Sequence, residues 1–392
     1  MDFVAALPPD GRRIALKNNW ERGIFKKHYL EHDSPIEYKS FNVIVYPSKE
    51  PLDSYYYPFL MKEKGTQDKF GLYMICIDAT NLKMSSELLL ENDIRSTIMC
   101  ACVMKNYVVW VHYNGEVQRF DAKCKSENRL KTVGTIKESP KSSDPDRNEY
   151  PRFLAMDDNH IVAATYVCLK VWCKQTHQLK LERSVPTKSS HCCSFHDGCL
   201  VISTTSPNKI HEYNTSRIEI YNLRKNNNIS LQHELFVDGE VNAVECDENS
   251  IVYTYEGSLK QIFVRDRKTF AVKFSHSIDT YFSLIKISNE LIIFDYFFKK
   301  FALNFSTCEF YKSKTSESQI YTVFDNLSVA CYKNEVDSDS PIVDVWDWNK
   351  NSFLYRLNEG NPSEKFIISS VSESMIVAIE SETGNLIIYK FD

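Results

Sequence analysis

Glycine is scarce, at 11 residues in a chain of 392. That leaves little material for the backbone loops that cradle phosphate groups, and neither a Gly-x-Gly-x-x-Gly fingerprint nor a Gly-x-x-x-x-Gly-Lys loop occurs. No run of about 18 apolar residues is present, which excludes a membrane-spanning helix. The first twenty residues lack a basic segment followed by an apolar core, so no secretory leader is expected. A cytoplasmic or nuclear chain keeps its 12 cysteines as thiols, and Cys76, Cys100, Cys102, Cys168, Cys246 and Cys331 fall inside apolar, strand-like runs. Neither sign of charge dominates: 47 Lys and Arg stand against 52 Asp and Glu, a net charge of −5. A generally basic surface of the kind that holds nucleic acid is thereby excluded. Neither nucleic acid nor a membrane span is expected.

Aromatic residues, by contrast, are plentiful, with 22 Tyr and 23 Phe. They recur in one repeated phrase. A polar turn containing Asn, Asp or Gly is followed by two or more aliphatic residues, then by a second strand-like run ending in an aromatic. The first aliphatic residues after each turn are Val108, Ile161, Leu200, Ile251, Leu291, Val329 and Ile376. Their spacing averages about 45 residues, within the period of four-stranded propeller blades. One period earlier, FNVIVY (41–46), YYYPFLMK (55–62) and FGLYMICID (70–78) form a fainter unit. The expected fold is all-β: a single WD-repeat-like β-propeller of eight counted blades, seven clear and one faint, with seven blades as the alternative. Stacking such units buries faces that none can bury alone. Asn114-Gly115 and Gly384-Asn385 are hairpin-turn dipeptides. Polar inserts at 136–152, 206–217 and 333–341 belong on loops, where binding residues concentrate.

Units ending LKVWC, IEIYN and VDVWD resemble the third-strand signature of WD-repeat proteins, most closely at Val171-Trp172 and Val345-Trp346-Asp347. Asp121, Asp266 and Asp347 stand at the closing position of that signature. No Gly-His dipeptide occurs, so the family's Asp-His-Ser/Thr-Trp network is not expected. Residues 1–40 differ from the 41–392 propeller: Leu16, Trp20 and Ile24 follow helical spacing up to Gly23. Asn19-Trp20, Gly23 and Phe25 resemble the junction that precedes the propeller in F-box/WD-repeat proteins. An F-box needs roughly 40 residues, and too few precede Trp20, so it would be absent or truncated. Leu16, Trp20, Phe25 and Tyr29 are the candidate partner-binding residues of this segment; the alternative is that they pack it against the propeller.

Chemical motifs are thin. His191, Cys192, Cys193, His196 and Cys199 have zinc-ligand chemistry, but they crowd into nine residues without a second pair, and alternation along a strand splits their faces. No cofactor, metal or catalytic set is expected. Arg95, Arg152, Arg183, Arg217, Arg265 and Arg356 fall in different units; brought together, arginines would suit an acidic or phosphorylated peptide. The resemblance implies a non-catalytic protein-interaction scaffold, in its specific form a substrate-recognition adaptor of a ubiquitin ligase. The alternatives are a propeller hydrolase with a central-channel site, or a structural subunit of a trafficking or coat complex.

Overall fold

The structure, a computed structural model, describes residues 9–391 apart from 31–35, 40–41, 47–52, 64–69, 92–97, 137–150, 166–167, 185–189, 207–213, 224–228, 257–259, 278–282, 289–290, 297–298, 317–318, 323–325, 334–340, 349, 351, 358–365, 373 and 381–384. Most of the three polar inserts, Gly384 of the second hairpin turn, and Arg95 therefore lie outside the described residues. Val, Ile, Tyr and Phe between turn residues make strand the dominant element, because branched and aromatic side chains fit a pleated, buried surface. Eight sheets form among the described residues, and contacts divide the chain into two compact units. One unit comprises Met1–Trp110, Gln118–Lys131 and Thr315–Asp392; the other comprises Val111–Val117 and Thr132–Lys314.

In the first unit, sheet 1 pairs Ile36–Lys39, Ser54–Glu63, Gly71–Asp78 and Met84–Glu91 in that order. Sheet 7 pairs Gln319–Thr322, Leu327–Lys333, Pro341–Asp347 and Ser352–Arg356. Sheet 8 takes Phe366–Val371, Met375–Glu380 and Leu386–Lys390, and Lys26–Leu30 fills its fourth place, antiparallel, with Lys26 opposite Lys390 and Leu30 opposite Leu386. Sheet 2 draws residues from both units: Ile98–Met104, Tyr107–His112, Glu116–Asp121 and Leu130–Thr135, with Asn42–Val45 added as a fifth strand. The faint sequence unit is thus a complete four-stranded sheet, except that its FNVIVY stretch pairs with sheet 2. Facing sheets close on one another through alternate residues. Val329 and Val345 meet Ile376 and Ile387, whereas Val377 and Ile388, on the opposite face of sheet 8, meet Ile75 and Ile77. Leu72 and Met74 in turn meet Val108 and Trp110. With both faces buried, the strands read as nearly continuous apolar runs, which explains their imperfect alternation.

The second unit holds sheet 3 (Phe153–Met156, His160–Ala164, Cys168–Cys173, Leu179–Ser184) and sheet 4 (Ser190–His196, Cys199–Ser206, Thr215–Asn222, Ser230–Val237). It continues with sheet 5 (Glu240–Cys246, Ser250–Glu256, Lys260–Asp266, Val272–Ser277) and, but for its last two residues, sheet 6 (Ser283–Ser288, Leu291–Tyr296, Lys299–Asn304, Glu309–Ser316). Val162 and Val171 pack on Leu200 and Ile202, Val201 and Ile220 on Val244 and Ile251, and Val252 and Val264 on Ile292 and Leu303. All seven aliphatic residues that define the sequence period lie on the second strand of their sheets. These repeated antiparallel meanders are of the β-propeller class.

The repeat persists down to single hydrogen bonds. Past the third strand, Ala122, Lys174, Leu223, Arg267, Trp348 and Phe391 donate N–H to the carbonyls of Asn106, Asn159, Gly198, Asn249, Asn326 and Ser374, at 2.7–3.0 Å. Between the third and fourth strands, the carbonyls of Asp78, Cys173 and Asp266 accept from Leu82, His177 and Phe270 at 2.8–2.9 Å. Those three residues, and Cys308 in the corresponding turn of sheet 6, have left-handed φ of 56–61°. Asp266 also accepts the N–H groups of Thr269 and Lys268, and the Thr269 bond leads in holding its carboxyl well below the usual range. Asp121 and Asp347 accept from the side-chain amides of Asn106 (3.1 Å) and Asn326 (2.8 Å). Trp348 Nε1 donates to Ser328 Oγ at 2.8 Å, so a Trp–Ser link and an Asn–Asp link are made without a Gly-His.

Candidate functional site

The N-terminal residues singled out by the sequence build a joint onto sheets 7 and 8. Helix Pro9–Arg22 begins with a proline, whose fixed φ suits the first turn. It ends where Gly23, at φ 65°, donates to the Trp20 carbonyl (3.3 Å) while Ile24 donates to that of Asn19 (2.8 Å). This is the glycine C-terminal cap in which a left-handed residue satisfies the last carbonyls. A Cβ at Gly23 would stand 3.3 Å from Tyr355. Trp20 is fully buried and stacks on Phe391, with ring centroids 3.7 Å apart and planes 9° from parallel. Leu16, one turn earlier, enters the same cluster. Phe25 meets Tyr389 edge-on at 5.6 Å and lies over Tyr355 at 6.2 Å. Leu16, Trp20 and Phe25 therefore come together as internal packing. Tyr29 does not join them: it is 51% exposed, with Lys27 Nζ 5.0 Å from its ring centroid. Ile14 and Ile24 are also exposed.

A second surface lies on sheets 3 and 4. Arg217, Glu219 and Tyr221 alternate along one strand and so share a face; Phe236 and Glu234 stand opposite Arg217 and Glu219 on the neighbouring strand. Arg183, from the fourth strand of sheet 3, donates to Glu219 Oε1 and to the Tyr221 hydroxyl, both at 2.5 Å. Arg217 reaches the same Glu219 oxygen at 3.1 Å and pairs with Glu234. One buried carboxylate thus holds two guanidinium groups whose side chains are 42% and 44% exposed. The bond to Tyr221 is the chief cause that raises Arg183 above its ordinary pKa, and burial pushes the Tyr221 phenol up. Beside this locked pair Phe236 is 77% exposed. An exposed aromatic flanked by ordered arginines is the composition of a protein-binding anchor.

Of the other arginines, Arg356 is held by Asp344 (2.8 and 3.2 Å), and Arg265 by Tyr253 and the Phe270 carbonyl. Among the described residues no cluster of His, Cys, Asp and Glu could hold a metal. Burial pushes the Cys192 thiol up to about 12 and the Cys193 thiol well above its ordinary value. Phe236 was not among the residues selected from sequence. Its signal was present, since the adjacent apolar pair Leu235-Phe236 on a strand must point to opposite faces. Leu235 packs inward against Val241 and Tyr253.

No known family pattern matches the sequence, and no curated protein does either. Among solved structures, the chain is similar to the computationally designed protein Ika8, at 14% identity and a TM-score of 0.55, over 92% of this chain and 97% of that one. It also aligns with Hsv2 of Kluyveromyces marxianus (11% identity, 82% of this chain and 96% of that one, TM-score 0.47). Raptor of Chaetomium thermophilum aligns at 9% identity over 97% of this chain and 30% of that one, also with a TM-score of 0.47. At these identities the likeness is one of fold alone. No helix among the described residues is long and apolar enough to cross a membrane.

Proposed function

We propose that the protein is a non-catalytic protein-interaction scaffold of the cytoplasm or nucleus, and that its docking anchor is the Phe236 patch. The observation that carries this is Phe236, 77% exposed, beside two arginines fixed by one buried glutamate. Aromatic and Arg residues contribute most of the energy of protein interfaces, and a pre-ordered guanidinium loses little freedom on binding. A partner segment with an apolar residue next to carboxylates or phosphates fits this chemistry. In its finer form, the scaffold is a substrate-recognition adaptor resembling F-box/WD-repeat ubiquitin-ligase subunits. The resemblance of Asn19-Trp20, Gly23 and Phe25 to the junction in those proteins supports that form.

The test compares the full chain with the double variant Phe236→Ser/Arg217→Gln, which leaves Arg183 on Glu219, in quantitative affinity capture from cells. Partners that bind the patch fall at least about tenfold in recovery, while the unfolding midpoint stays within about 2 °C. A partner set unaltered by the double variant overturns the assignment of the patch. For the finer form, depletion of the protein stabilises the patch-dependent partners and lowers their ubiquitin content; unchanged partner turnover rejects it.

A further inference from the structure

Among the described residues, sheet 2 has five strands where each of the other seven has four. The extra strand, Asn42–Val45, lies along the edge of Ile98–Met104 in parallel register, with Asn42 opposite Cys100 and Val45 opposite Val103. Tyr46 N–H extends the contact onto the Val103 carbonyl at 2.9 Å. The flanking strands belong elsewhere: Ile36–Lys39 and Ser54–Glu63 are neighbours in sheet 1. The chain therefore leaves sheet 1 between two of its paired strands, lends four residues to another sheet, and returns. Ile98–Met104 is deeply buried, with Ala101 and Cys102 fully so. The added strand is not. Val43 and Val45 are half-buried against the cluster around Leu60, Leu72 and Trp110, and Ile44, on the other face, is 38% exposed.

In strand addition the backbone ladder supplies affinity, and pockets for alternate side chains supply selection. Short, half-buried elements open locally far more readily than core strands. We infer that the edge of Ile98–Met104 is a peptide-binding slot that the chain fills with its own residues 42–46. Its partner is an extended protein segment, with β-branched residues at alternate positions, that adds in the same parallel register and displaces them. The resident strand displays the accepted chemistry: Val43 and Val45 face the core cluster, and the residue between them faces outward. This slot is built from residues remote in sequence from the Phe236 patch and does not depend on that reading.

The test uses the full-length protein and a synthetic peptide of residues 41–46, end-blocked and flanked by lysines for solubility. In a chain carrying N42G/V43S/I44G/V45S the slot is vacated, and peptide affinity by fluorescence anisotropy rises at least about tenfold over the unaltered chain. This follows because a competitor open about 10% of the time or less weakens apparent binding by that factor. A peptide with aspartate in place of both valines binds neither protein. Equal or undetectable affinity of the valine peptide for both chains, with the variant folded, overturns the inference. Should the variant fail to unfold cooperatively, hydrogen exchange on the unaltered protein decides. Saturating peptide speeds exchange of the Val43–Tyr46 amides while leaving those of Tyr107–His112 unchanged. Exchange at 43–46 that is insensitive to peptide overturns the inference.

Discussion

Cys308 sits at φ 60° in the turn after Lys299–Asn304, with its side chain exposed. A non-glycine residue in that region is disfavoured by about 1–2 kcal/mol, partly offset by the entropy glycine loses on folding. Cys308→Gly is expected to raise stability by about 0.5–1 kcal/mol, read as a higher urea midpoint at unchanged slope. Asp347 gives a prediction of pH dependence. Its burial favours the neutral acid, but the Asn326 amide and the Lys350 ammonium outweigh that and hold the carboxyl below its ordinary value. A carboxyl depressed in the folded state stabilises the protein above its unfolded pKa of roughly 4, and that contribution is lost as pH falls through the lower folded value. Asp347→Asn should therefore be less stable at pH 7 and lose less stability on acidification to pH 3, checked by thermal unfolding across that range. The closing aspartates were legible in sequence because each follows an aromatic-rich strand at a fixed place in the period. The left-handed turn residues were not: Leu82, His177, Phe270 and Cys308 carry no glycine to mark them.

The N-terminal helix was readable from the i, i+4 spacing of Leu16 and Trp20, and its end from Gly23, because both are local signals; Ile24, expected at the same spacing, lies past the helix end and is exposed. What its aromatic residues touch was not readable, since Phe391 and Tyr389 lie more than 300 residues away. Trp20→Ala removes a fully buried indole and should cost about 3–5 kcal/mol, checked by chemical denaturation. The pairing of Asn42–Val45 was hidden for the same reason, as nothing in a four-residue strand names its neighbour. On sheets 3 and 4, Glu219→Gln keeps the shape but removes the charge shared by Arg183 and Arg217. Because both guanidinium groups are more than a third exposed, a loss of only about 1–2 kcal/mol is expected by urea denaturation.

At the scale of the molecule, the all-β class and the period were legible because the same order of turn residues and aliphatic runs recurs along the chain, and six of the sheets share one bond past the third strand. The Phe236 patch was not, because it assembles Arg183, Arg217 and Phe236 from three strands whose spacing follows no motif. The contribution of Lys26–Leu30 to sheet 8 was likewise unannounced. Deleting residues 1–30 bares the outer edge of Leu386–Lys390, and unpaired strand edges recruit other chains. The truncated protein should show concentration-dependent association in sedimentation velocity where the full chain does not.

That same pairing sets an order on biosynthesis. The partner of Lys26–Leu30 leaves the ribosome about 350 residues later. At about 5–20 residues per second, the nascent N-terminal segment waits roughly 20–70 s with Trp20 and Phe25 unsheltered. Holdase chaperones should therefore engage this segment during translation, and slow codons ahead of those for Leu386–Lys390 should lengthen that engagement.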